Sequence, residues 1–86
     1  MTQAFLEEAA TQAKAALGRS SIFDLRRLVV EQDGDCVVLR GRVGSFYHKQ
    51  LAQELVRSAI DGPEVINAIN VVYRRDRRDD DFERHH

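Results

Sequence analysis

Tryptophan is absent from this 86-residue chain, and cysteine, proline and methionine each occur once. With Cys36 alone, no internal disulfide can form and no metal site can be built on paired cysteines, so a reducing compartment is the simpler expectation. No apolar run approaches the ~20 residues that span a bilayer. An excess charge is missing as well: 13 basic and 14 acidic residues leave a formal net charge of −1. Any electrostatic attraction to a partner must therefore come from local clustering. The opening stretch MTQAFLEEAATQAKAALG places two glutamates where an export signal has a basic start and an unbroken apolar run. The expected compartment is thus cytoplasmic for the chain as it stands, and periplasmic or envelope if a leader has been removed. The terminal His85 and His86 read as native residues or as tag remnants.

What is present suits one small domain. Hydrophobic residues make up 43% of the chain and charged residues 31%, too apolar for general disorder. Residues 3–17 carry Phe5, Leu6, Ala9, Ala10, Ala13, Ala16 and Leu17 at helical spacing. Thr2 is placed to cap this helix, Glu7 and Glu8 to favour its dipole, and Gly18 to end it in a left-handed conformation. A strand is expected from about Leu25 to Gln32, followed by a reversal at Asp33-Gly34-Asp35. The returning strand, Cys36 to Val43, turns Val37, Leu39, Gly41 and Val43 to one side and Cys36, Val38, Arg40 and Arg42 to the other. The first set is assigned to the core. Gly41 then leaves room for a helix backbone or a bulky neighbour, or permits a bulge.

Ser45 is placed to cap a second helix, on which Leu51, Ala52, Leu55, Val56, Ala59 and Ile60 recur at helical spacing. That helix stops near Asp61-Gly62-Pro63. In the closing strand, EVINAINVVY, Val65, Asn67, Ile69, Val71 and Tyr73 share the core face and Ile66, Ala68, Asn70 and Val72 the other. Residues 1–73 thus read as a single domain. The charge-dense remainder, RRDRRDDDFERHH, reads as a mobile tail. The fold class is α+β: an αββαβ order with two helices on one face of a small three-stranded mixed sheet.

Three stretches carry a resemblance: DGDCVVLRGRVGS, FYHKQLAQELVRSAI and GPEVINAINVV. Together, over about residues 3–73, they resemble the bacterial OsmY and nodulation (BON) domain. Val65, Asn67, Ile69 and Val71 look like that family's closing pattern. The resemblance implies the same αββαβ fold, a noncatalytic role, and association with phospholipid or membrane surfaces. The chain departs from the family's usual pattern in having one copy and no visible leader.

Two candidate surfaces follow. Val29, Cys36, Val38, Ile66, Ala68 and Val72 fall on the sheet side opposite the core, an apolar patch suited to a protein partner or a second copy. The plainer reading is that the stems of Arg27, Glu31, Arg40 and Arg42 cover it. Arg40, Arg42, Ser45, His48 and Lys49 surround the start of the second helix, where an anion or a phosphate headgroup would fit. Without the lysine and hydroxyl of a nucleotide loop, the plainer reading there is a solvated surface. Arg74, Arg75, Arg77 and Arg78 form the densest basic patch, but Asp76 and Asp79–Asp81 cancel most of its field. No aromatic residue interleaves with them, which argues against single-stranded nucleic acid.

No catalytic residues, metal ligands or cofactor are indicated. Cys36 has no base beside it in the chain, and His48, His85 and His86 do not form a ligand set. Gly34, Gly41, Gly62 and Asn67 read as structural, Asn67 as a buried amide that bonds backbone amides and fixes the turn into the last strand.

Overall fold

Thr2 starts the first helix by accepting a hydrogen bond from the Phe5 amide at 3.1 Å, and α1 then runs over Gln3–Gly18 in a computed structural model that describes residues 2–73. No acidic residue lies in its first turn. Glu7 and Glu8 fall one turn further in, beyond where the dipole favours anions most. Gly18 does not adopt a left-handed conformation; it is the last helical residue, and Arg19 closes the helix in the right-handed region with its amide on the Ala15 carbonyl.

The expected strand from Leu25 is corrected by a single helical turn, α2 (Phe23–Arg26), ahead of β1 (Val29–Asp33). The Ser20 hydroxyl accepts from the Ile22 amide, and the Ile22 carbonyl accepts from the amides of Leu25 and Arg26. This turn drives Leu25 fully into the core. Burying a leucine is worth roughly 1.5–3 kcal/mol, more than the ~1 kcal/mol that separates good from poor strand formers. Tertiary packing therefore overrides local propensity.

A two-residue loop, Gly34-Asp35, joins β1 to β2 (Cys36–Val43), with φ of 60° at Gly34 as a type II′ turn requires. Ser45 caps α3 (Phe46–Ala59) through the His48 amide at 3.1 Å, and β3 (Glu64–Val71) closes the chain's fold. Sheet order is β1-β2-β3, antiparallel between β1 and β2 and parallel between β2 and β3. The closing strand is shorter than expected, and Tyr73, assigned to the core face, is instead among the most exposed large side chains.

Both long helices cover the same sheet face. Leu17, Leu25, Val37, Leu39, Val56 and Ile69 form the fully buried centre, and no polar or charged residue is buried among the described residues. Alanines at 9, 13 and 52 let α1 and α3 approach closely. Asn67 has a larger role than fixing a turn. Its amide nitrogen donates to the Lys49 carbonyl at 2.9 Å and to Gln53 Oε1 at 3.1 Å, while its oxygen accepts from the Ile69 amide. The strand is thereby tied to the helix above it.

Gly41 has φ of 133°, and a Cβ there would lie 2.8 Å from Leu28 Cδ2. The neighbour that needs this gap is thus the leucine between α2 and β1. Gly18, by contrast, is helical with open space around it. Gly41→Ala is expected to lower the unfolding free energy by about 1–3 kcal/mol, whereas Gly18→Ala raises it by roughly 0.5–1 kcal/mol. Denaturant titration of both variants checks the pair; a neutral Gly41→Ala would refute the close-approach account.

Candidate functional site

The open face of the sheet is set by side-chain alternation once the helices occupy the other. Register places Asp33, Cys36 and Glu64 in one row, Glu31, Val38 and Ile66 in the next, and Val29, Arg40 and Ala68 in the third. Arg42 and Asn70 follow. Val29, Cys36, Val38, Ile66 and Ala68 lie in these rows and Val72 follows the end of β3, but the six do not make one apolar patch. Val38 is only 2% exposed, although it lies outside the main core cluster. It sits on the central strand between Glu31 and Ile66, and Arg40 Nε meets Glu31 Oε1 at 2.6 Å along its flank. That ion pair joins β1 to β2 on the valine's own face. What stays open is peripheral: Val29 at 51%, Ile66 at 41% and Val72 at 44% exposed, with Cys36 and Ala68 half-buried.

The second expected site is divided by the structure. Arg40 is engaged with Glu31 on the sheet face, away from α3. The Ser45 hydroxyl is occupied as a helix cap, and Lys49 is half-buried with its ammonium 5.8 Å from the Phe46 ring. His48 is half-buried, and its Nδ1 has no hydrogen-bond partner among the described residues. Arg42 instead joins Arg27, Asp24, Val43, Gly44 and Val72 around a cleft of about 390 Å³.

This cleft lies at the end of the sheet where β2 and β3 both finish. The Val72 amide donates to the Val43 carbonyl at 2.9 Å, and a Cβ on Gly44 would lie 3.7 Å from Asp24 Oδ2. Five large side chains stand exposed at this end: Phe23, Phe46, Tyr47, Val72 and Tyr73. Cations accompany them. The guanidinium groups of Arg26 and Arg27 lie 5.4 and 5.5 Å from the Phe23 ring centre. In the sequence reading Phe23, Asp24, Phe46 and Tyr47 entered no candidate site, and Arg27 was placed on the sheet face because residues 25–27 read as strand. The available signal was FDLRR, which sets both arginines one helical turn after a phenylalanine.

The opposite end is acidic. Asp33, Asp35 and Glu64 surround Cys36, whose thiol donates to Glu64 Oε2 at 3.5 Å. Partial burial first, then that hydrogen bond and the three carboxylates, push the Cys36 thiol above its ordinary range. The arrangement suppresses the thiolate and so opposes nucleophilic use. Among the described residues, no group of three or more histidine, cysteine or acidic side chains is placed to hold a metal, and no helix is long and apolar enough to cross a membrane. The basic patch at residues 74–78, the acidic run after it and the two terminal histidines lie outside the described residues.

The family model for the BON domain matches residues 6–73 of the chain. Neither the curated proteins nor the solved structures contain a significant match to it.

The raised thiol carries a pH signature. Because carboxylates disfavour the thiolate, alkylation of Cys36 at pH 8 is expected to run slower than that of a free cysteine, with the rate rising only at higher pH. Glu64→Gln removes both the acceptor charge and its field, and is expected to shift the rate profile to lower pH. An unshifted profile in an iodoacetamide titration would contradict the part assigned to Glu64 beside burial.

Proposed function

The chain belongs to the BON domain family, a family of noncatalytic binding domains for phospholipid and protein, and from that premise we propose that it docks onto an anionic phospholipid surface by the cationic, aromatic end of its sheet. The observation that supports this is the meeting of Phe23, Phe46, Tyr47, Val72 and Tyr73 with Arg26, Arg27, Arg42 and Lys49 at one end. Aromatic side chains sit well at the headgroup level because one part of the ring system is apolar and the rest tolerates water. Arginine and lysine near such rings reach phosphates while their stems stay with apolar surface. Each cation near an anionic leaflet is worth about 1 kcal/mol, so the cluster is strong enough to orient the domain despite its net charge near zero. Asp33, Asp35, Asp61 and Glu64 mark the other end, which the same leaflet repels. The sealed Val38 leaves the sheet face less suited to a purely apolar protein partner.

Flotation with vesicles of mixed neutral and anionic phospholipid tests the proposal. The full chain is expected to float with anionic vesicles at low salt and to lose binding at high salt. Arg26→Glu with Arg27→Glu, and separately Phe46→Ser with Tyr47→Ser, are each expected to weaken binding about tenfold or more. Flotation that is absent, or unchanged in both variants, would overturn the reading.

A further inference from the structure

The charges on the open sheet face are sorted along the strands. The first row holds Asp33 and Glu64 beside Cys36, and the second holds Glu31 beside Val38 and Ile66. The third holds Arg40 between Val29 and Ala68, and beyond it Arg42 and Arg27 border one cleft. Two acidic groups, one acidic group, one basic group and two basic groups thus follow one another from the hairpin end to the aromatic end. Alternation fixes this order, since each of the strand residues among them points away from the helices.

We propose that this face is the contact surface for a second copy of the chain, packed face to face with its strands reversed. A two-fold axis lying between the sheets and across the strands sets each strand over its own copy while inverting the order of the rows. The row of Asp33 and Glu64 of one copy then lies over the row of Arg42 of the other, and the row of Glu31 over that of Arg40, each acid one strand aside from the β2 arginine it meets. Every row meets its complement twice, as a closed two-fold contact requires. Packing with the strands in the same direction puts like charges together and is excluded by the same pattern. Val29, Ile66 and Val72 remain exposed and supply the apolar part, while the small Cys36 and Ala68 allow the sheets to approach. This inference rests on the sheet face, and it stands or falls separately from lipid docking.

The area sets the strength. Strands about 4.8 Å apart, two of eight residues and one of five at about 3.3 Å each, give a face of roughly 330 Å², less than half of the ~800 Å² per partner in stable complexes. The association is therefore weak, visible only as a concentration-dependent equilibrium, and sensitive to salt.

Charge reversal in separate chains provides the test. Within one chain, Arg42 pairs with Asn70, six residues along β3 from Glu64, a separation of about 20 Å. These two side chains cannot rescue each other internally. In light scattering or sedimentation of the full chain, Arg42→Glu and Glu64→Arg are each expected to weaken self-association at least tenfold. Mixing the two variants is expected to restore it, because each altered group then meets its opposite across the interface. Circular dichroism of each variant confirms folding, and restored association in the mixture does so independently. A wild-type chain that is monomeric up to millimolar concentration overturns the proposal. Undiminished association of the single variants also overturns it, as does a mixture that stays as weak as its components.

Discussion

The amide of Asn67 holds the last strand to the helix above it, and the rest of the arrangement depends on that tie. A parallel edge strand has only one neighbour, β2, to bond through its backbone, so its seat against α3 must come from side chains. Packing of Ile69 supplies part of this. Asn67 adds direction, because its two donor bonds fix it against one turn of α3 while its oxygen is taken by the Ile69 amide. A half-buried amide with all three bonds made is worth far more than one left partly unpaired. The tie also decides where the chain emerges: Phe46 and Tyr47 at the start of α3 and Val72 and Tyr73 after β3 come out at the same end.

A second consequence concerns the other face. Once α1 and α3 claim one side of three short strands, every charged strand residue is forced to the reverse, and its order along the chain becomes an order in space. The turn at Gly34-Asp35 brings the acids of β1 and β2 together, and the parallel return of β3 adds Glu64 to the same end. Arg40 and Arg42 are carried the other way. A net charge near zero therefore conceals a strongly divided surface. The distribution along the strands, more than the total, governs what the domain attracts.

Periodicity made most of the fold legible. Residues 46–59 recur in helical period with a cap and a stop at either end, and β2 lies between the Gly34-Asp35 turn and the break at Gly44-Ser45, so both elements emerge within a residue or two of expectation. The single turn at Phe23–Arg26 did not, because branched apolar residues around it imitate a strand and only tertiary burial of Leu25 distinguishes them. That misreading put Arg27 on the sheet face when it borders the cleft at the sheet's end. The fate of Val38 was equally illegible: alternation puts it on the open face correctly, but its burial there depends on its neighbours Glu31 on β1 and Ile66 on β3, which a pattern in one strand does not contain. Asn67, expected as a buried amide, is half-buried, and its partners on α3 lie 14 and 18 residues away, beyond any local rule.

The two proposed surfaces meet at Arg27 and Arg42, and this shared border constrains how they can work together. In the reversed pair, the row of Arg42 lies over the acidic row of the second copy, so the cleft that both arginines border is screened and no longer offers its full charge to phosphate. The two aromatic ends of such a pair also point in opposite directions, so one flat membrane can engage only one of them. Self-association and lipid docking therefore compete, and by linkage each weakens the other by the same factor. On these two proposals, the separate chain at low concentration presents its cationic end to the membrane, and at high concentration away from membranes the acidic rows of a second copy occupy that charge.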